Sequence, residues 1–298
     1  MGTWPKVSIV LINYNGYRDT IECLQSLREI SYTNYEVIVV DNASTNESVK
    51  EIRDFIGEGE ILIPSEVNGG FSAGNNIGIK YALGRGAEYC LLLNNDTVVE
   101  ASFLEDLIAP FSSNRKCGLT IGKILYESKR DTVWYAGGDI NSRTARTQHW
   151  HYRKKDEGLP EKIEPVSFAT GCCMCLSRNA IETVGFMNED YFMYVEDAEY
   201  CMKLKSAGFE LLYVPSSRIY HKVSASTEGA SAFSQFYTVR NKLMLIKDNI
   251  MPQNKYSAYL YTIFQYLYRC LKGEYSLGAV TKAIKAFKKG EAGRSSLF

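Results

Sequence analysis

The sequence predicts an α/β fold on a mostly parallel sheet, and three observations carry the prediction. Nearly continuous apolar, β-branched runs recur, as expected of strands covered on both faces. Stretches with apolar residues three and four apart lie between them. Short polar clusters, "NYNG", "DNAS" and "NND", follow three of the runs directly. A β-α-β-α rhythm of this kind makes a parallel, doubly wound sheet. Such sheets bind ligands at the carboxyl ends of their strands, where all three clusters fall.

The elements follow in order. "VSIVLI" (Val7–Ile12) is the first strand, and in "TIECLQSLREI" the residues Ile21, Leu24, Leu27 and Ile30 share a helical face. "YEVIVVD" (Tyr35–Asp41) is the second strand. Thr45 or Asn46 is placed to cap a helix with Val49, Ile52, Phe55 and Ile56 inside. "EILIP" is a third strand, and "NGGFSAGNNIG" reads as a flexible glycine-rich lead into a short helix, "IKYALGRG". "YCLLL" is the fourth strand and delivers Asn94, Asn95 and Asp96. Past the helical "ASFLEDLIAPF", the stretch "DTVWYAGGDINSRTARTQHWHYRKKDEGLP" reads as a loop excursion. "VSFATGCCMCLS" resumes a strand. A helix begins near Glu196 with Ala198, Cys201, Met202 and Leu204 on its apolar side. "FELLYVP" is a strand that ends before "SSRIYHK", and from about Ala230 the chain turns to helices rich in tyrosine and lysine.

Composition narrows the function. The 298 residues carry 34 Lys plus Arg against 34 Asp plus Glu, so bulk charge gives no case for nucleic acid. The N-terminal stretch has no basic flank, long apolar run and cleavage site, which predicts no signal peptide. Eight cysteines without secretory features predict reduced thiols and a cytoplasmic setting. Cys172 and Cys175 form a CxxC with no second close pair, so small buried residues are preferred to a zinc site. "NYNGYRD" lacks the glycines of a dinucleotide fingerprint, and no GxxxxGK[ST] is present. "GFSAG" matches GxSxG only superficially, because no clean strand precedes it.

The polar clusters have chemistry of their own. Asp41, at a strand end, is suited either to a turn or to the N3–H of uracil or thymine or the N1–H of guanine. Gly70, Gly74 and Asn75, in "VNGGFSAGNN", suit the close approach of a diphosphate or ribose. Asp96 is a hard oxygen ligand of the kind Mg²⁺ or Mn²⁺ prefers, with His221 as a second ligand. Glu196 and Asp197 open a helix, where the dipole favours the ionised form of Asp197 and its use as a base.

Taken in this order, the residues resemble the family 2 inverting glycosyltransferases of the GT-A fold, in the rhamnosyltransferase-like branch. The matching elements are "VSIVLINYNG", "YEVIVVDNAST", "NGGFSAGNNIGI", "YCLLLNNDTVV", "ATGCCMCLSR", "GFMNEDYFMYVEDAEYCMKLKSAGF" and "VPSSRIYHKVSAS", from about Val7 to Ser226. The resemblance implies a GT-A domain over 1–228, with a nucleotide-binding half (1–100) and an acceptor and catalytic half (101–228). A C-terminal helical extension covers 229–298. It implies that Ile12, Asn13 and Tyr14 pack around the base and that Asp41 contacts it. The usual DxD stands here as Asn94-Asn95-Asp96, which leaves Asp96 for a divalent metal, Mg²⁺ or Mn²⁺, and Asn94 and Asn95 for the nucleotide. His221 matches a metal ligand, Glu196-Asp197 the catalytic pair with Asp197 as base, and Arg240 a diphosphate contact.

The implied partners are a nucleoside diphosphate sugar, with dTDP favoured over UDP or GDP, and a glycan or lipid-linked acceptor. A catalytically silent homologue that binds carbohydrate, or a nucleotidyltransferase, are the rival readings. The basic and aromatic segment Arg143–Lys155 suits an anionic lipid-linked acceptor, sugar stacking or a solvated loop. "YSAYLYTIFQYLYRCLKG" (Tyr256–Gly273) falls short of a membrane span. An interfacial helix at the inner membrane face competes with packing on the domain or on a second subunit.

Overall fold

The computed structural model describes residues 4–223 and 231–297. Its framework is a ten-stranded sheet. β1 (Val7–Asn13), β2 (Tyr35–Asp41), β3 (Glu60–Pro64) and β4 (Tyr89–Asn94) run parallel in the order β4-β1-β2-β3. Ile12 pairs with both Val40 and Asn94, so the polar residues after these strands emerge side by side. Leu91, Leu92 and Leu93 are all buried, because β4 is covered on both faces. Burying each contributes about 2 kcal/mol, and a charge at Leu92 would break the centre of the sheet.

The flanking helices are α1 (Tyr17–Leu27), α2 (Ser48–Phe55) and α3 (Gly70–Gly84). α1 buries Thr20, Cys23, Leu24 and Leu27, with Ile21 and Ile30 only partly covered. The rotation follows from Thr20, whose hydroxyl donates to Asn13 Oδ1 at 3.0 Å and so can enter the core satisfied. The N-cap of α2 is Glu47, which makes no side-chain cap bond, rather than Thr45 or Asn46; Asn46, one residue before it, accepts the Ser48 N–H at 3.0 Å. The glycine-rich stretch is helix rather than flexible loop. A Cβ on Gly74 would meet Ile12 at 3.1 Å, and one on Gly78 would meet Val10 at 2.3 Å. These glycines let α3 lie directly on β1, a packing role that periodicity does not reveal.

After β5 (Thr97–Val99) and α4 (Phe103–Ser113) the sheet becomes mixed. β6 (Cys117–Tyr126), β10 (Glu164–Val166), β11 (Cys173–Ser177) and β12 (Glu210–His221) complete it, with β11 inserted antiparallel between β4 and β6. The excursion expected as loop contains β7 (Lys129–Tyr135) and a small hairpin, β8 (Gly138–Ile140) with β9 (Thr147–His149). Strands of three residues broken by glycines leave no periodic signal. Buried Lys123 pins the rest of the excursion, donating to Asp156 and Glu161, each at 2.7 Å. β12 continues past Pro215 through a register shift between Val214 and Arg218, so "SSRIYH" is strand. The bulge absorbs the proline's missing N–H.

α5 (Arg178–Val184), α6 (Glu196–Ser206), α7 (Ala232–Asn249), α8 (Pro252–Leu271) and α9 (Leu277–Lys289) complete the chain. α6 buries Ala198, Cys201 and Leu204 as expected, with Glu196, Glu199 and Tyr200 added and Met202 only partly covered. Met244, Leu245 and Ile246 of α7 join the main core. Phe236, Tyr237 and Leu243 form a second cluster with Val280 and Ala283 of α9 and with Phe192. The expected boundary at 228/229, like residues 224–226 of the last matching element, lies outside the described residues. α8 docks through Ala258, Thr262 and Tyr266 and exposes Tyr256, Leu260, Phe264 and Leu271. Among the described residues no helix is long and apolar enough to cross a membrane.

Candidate functional site

Strand pairing brings the first pair of residues together. β4 ends at Asn94, the chain turns, and β5 pairs with β12 so that Thr97 faces His221. This register sets Asp96 Oδ1 3.1 Å from His221 Nε2. Both Asp96 Oδ1 and His221 Nδ1 are buried without a hydrogen-bond partner among the described residues. Burial raises the Asp96 carboxyl, but His221 and Lys222 outweigh it and hold the group below its ordinary range. The pair therefore offers an ionised oxygen and an imidazole nitrogen close enough to share one cation. Among the described residues no cluster of three such ligands exists, so other ligands would come from substrate. The residues fit a divalent ion bound jointly with a diphosphate.

Beside this pair lies a cavity of about 330 Å³ lined by Ile12, Tyr14, Asn42, Asn68, Asn95 and Asp96, among others. Tyr14 is 47% exposed and forms its rim. Asn42 is fixed by donating to Asn68 Oδ1 and the Gly70 carbonyl, at 3.1 and 3.0 Å. Asn94, Phe71 and Met193 also line a second cavity of about 370 Å³, which adjoins the first. His221, Trp134, His149, Glu196 and Asp197 line the second one. The Trp134 ring stands edge-on to His221 at 4.7 Å and to His149 at 5.1 Å.

Asp197 sits in the first turn of α6, and the chain reaches it through strained backbone. Phe192, Tyr194 and Val195 have φ of 61, 69 and 75°, a region costing about 1–3 kcal/mol per residue outside glycine. Their neighbours hold them there. Phe192 accepts from the Phe71 N–H at 2.7 Å, over Gly70, where a Cβ would lie 2.0 Å from the Phe192 oxygen. From α7, the Asn241 amide donates to the carbonyls of Tyr191, Met193 and Tyr194 at 2.7–2.8 Å. Arg240 donates to those of Asp190, Tyr191 and Gly293.

Asp197 accepts the N–H groups of Gly171 and Ala198 at 3.1 and 2.7 Å. Burial nevertheless raises its carboxyl above the ordinary range, against those two bonds. Glu196 beside it is 6% exposed, and burial followed by the Asp197 charge pushes it up to about 8. Burial thus raises both carboxyls of the pair.

Several expected site residues lie elsewhere. Asn13 and Asp41 are fully buried beneath the first cavity. Asn13 Nδ2 donates to Asp41 Oδ2 at 2.6 Å, while Ser44 donates its hydroxyl to Oδ2 and its N–H to Oδ1. Asp41 thereby ties the tips of β1 and β2 together, with both oxygens occupied. Gly70, Gly74 and Asn75 are buried packing residues of α3. Arg240, expected at the diphosphate, is fully buried with its guanidinium on backbone carbonyls, and the clamp replaces that role. Cys172 and Cys175 are separate buried thiols raised by burial.

Other lining residues were not singled out by the sequence. Trp134 and His149 lie in the excursion, whose aromatic density was their one signal. Asn42 follows Asp41 in a strand-end cluster, and only the turn geometry selects it over its neighbour. Phe71, Met193 and Lys242 carried no signal.

Residues 8–185 match the family model described as glycosyl transferase family 2. The chain is 25% identical over 252 residues to the low-salt glycan biosynthesis hexosyltransferase Agl10 of Haloferax volcanii, covering 80% of this chain and 74% of that one. It is 24% identical over 251 residues to the dTDP-rhamnosyl transferase RfbF of Shigella flexneri, covering 82% and 80%. Its fold matches the crystal structure of GalNAc-T7 with UDP, GalNAc and Mn²⁺ at a TM-score of 0.66 and 17% identity, over 82% of this chain and 48% of that one. The fold is thus of the GT-A type.

Proposed function

The chain belongs to glycosyl transferase family 2, and from that premise we propose that it moves a sugar, with inversion, from a nucleoside diphosphate sugar to a hydroxyl of a glycan or lipid-linked acceptor. The observation that carries the reading is a pair of adjoining cavities that share Phe71, Asn94 and Met193, one lined by Asp96 and the other by His221 and Asp197. The donor's base and ribose lie among Ile12, Tyr14, Asn42 and Asn68, with Asn94 and Asn95 toward the diphosphate. Asp96 and His221 would hold a divalent ion, which when bound supplies positive charge that stabilises the leaving diphosphate.

Asp197 takes the proton of the acceptor hydroxyl as its oxygen forms a bond to the anomeric carbon. The bond from that carbon to the diphosphate breaks on the opposite face, and the nucleoside diphosphate leaves with the electron pair. Attack and departure on opposite faces invert the centre. Glu196, its carboxyl raised by burial and by the Asp197 charge, lies beside the base. The similarity to the Shigella dTDP-rhamnosyl transferase makes dTDP-rhamnose the first choice of donor.

Calorimetric titration with dTDP, UDP and GDP, each with Mn²⁺ and again with EDTA, tests the donor half. Metal-dependent binding of one nucleotide is expected. No binding of any would return the chain to the silent, carbohydrate-binding reading.

A further inference from the structure

A third cavity, of about 230 Å³, adjoins the base and shares Phe168, Tyr194, Val195 and Asp197 with the second. Its distinctive lining residue is Lys242, one residue past the α7 clamp and only 9% exposed. Its ammonium has no hydrogen-bond or carboxylate partner among the described residues. The charge that acts on it is a second cation, Arg146, from the turn between β8 and β9. Burial, and then Arg146, lowers the Lys242 pKa to about 8, so most of it stays charged at neutral pH. A buried cation without a counter-ion is costly, and buried charges in proteins are ordinarily paired. Thr147, Thr238 and Tyr266 place further polar groups around the same space.

We infer that this cavity is an acceptor subsite that receives an anionic group, a phosphoryl or carboxylate carried by the acceptor, with Lys242 as its buried counter-ion. The inference rests on the transferase reading and deepens it. It explains why α7 supplies both the loop clamp and a cation. An acceptor docked by its anion would set its hydroxyl against Asp197, converting encounter into alignment.

The test uses the full chain with Mn²⁺ and dTDP, whose own binding is measured first. Farnesyl diphosphate and methyl β-D-glucuronide are then titrated separately as phosphoryl and carboxylate probes, against wild type, Lys242→Met and Lys242→Arg. Wild type is expected to bind at least one probe, Lys242→Met to bind it at least tenfold more weakly, and Lys242→Arg to retain it. Nucleotide affinity should be the same in all three. The Tm of Lys242→Met should equal or exceed that of wild type, because an unpaired buried charge is gone; a lysine serving only structure would lower it. Binding that ignores position 242, no binding of either probe by wild type, or loss of nucleotide binding in Lys242→Met would overturn the subsite. Failure of wild type to bind nucleotide would instead strike the donor reading, while the probe titrations still report on Lys242.

Discussion

Asp96 and Asp197 face adjoining cavities, yet opposite kinds of structure hold them. Asp96 stands in a turn between two strands, with a carboxyl below its ordinary range and backbone set by sheet register. Asp197 follows three residues in the left-handed region, has a carboxyl above its ordinary range, and depends on a helix some forty residues downstream. The difference fits the two tasks proposed for them. A metal ligand must stay ionised and can be rigid by default, whereas a base must take up a proton and needs its orientation enforced. Rigidity at the second site comes from the Arg240 and Asn241 clamp, which holds strain that would otherwise relax.

The comparison breaks most visibly at the base. Asp197→Asn should lower kcat by about 10²–10⁴-fold while nucleotide binding persists, measured by product formation alongside calorimetry. Full activity in that variant would remove Asp197 from the mechanism. Wild-type kcat should also fall on the acid side at a pH above the usual aspartate range, since the raised carboxyl must lose its proton to act.

Asp96→Ala should act on the other side. Loss of one of two protein ligands is expected to weaken metal-dependent nucleotide binding by about 100-fold, with metal-independent binding unchanged. If EDTA and Asp96→Ala each leave nucleotide affinity untouched, the Asp96–His221 pair is not a metal site.

These two residues also divide what was legible in the sequence. Asp96 was singled out because a run of buried leucines must end in a strand tip, and His221 because it follows the strand read over "FELLYVP". Asp197 was found by its place at a helix start. The clamp was not, because it joins residues 190–194 to 240–241 through backbone carbonyls, which carry no side-chain signature. Arg240 was therefore sent to the diphosphate, where a cation normally belongs. Asp41 was read as a base contact for a similar reason: a strand-end carboxylate looks the same whether it faces a ligand or a neighbouring turn. The glycines of α3 looked flexible because composition cannot distinguish a loop from a helix pressed against a strand.

Asn241→Ala sharpens the contrast at smaller scale. Three carbonyls of the strained loop lose their donor, so stability should fall by about 2 kcal/mol, read from urea unfolding. kcat should fall with it, about tenfold, while nucleotide affinity holds. If kcat and nucleotide affinity fell together, the clamp would serve the whole site rather than Asp197, and the two carboxylates would not be independently supported.

The smallest effect is one of pH. Glu196 is pushed up to about 8 by burial and by Asp197, while in the unfolded chain it has the ordinary value of 4.5. Between these values the folded protein holds a proton that the unfolded chain releases. Its stabilising share is complete below pH 4.5 and is lost as pH rises toward 8. One proton's difference is worth up to about 1.4 kcal/mol per pH unit. Glu199, raised to about 7 by burial, adds a slope of the same sign. Glu196→Gln is neutral in both states, so it should lose less stability than wild type between pH 5 and pH 7.5, with the Glu199 slope remaining. Unfolding by urea at those two pH values separates the cases. Equal losses in the two proteins would mean that Glu196 is already ionised in the fold, and Asp197 would then share its charge with a neighbour instead of carrying it alone.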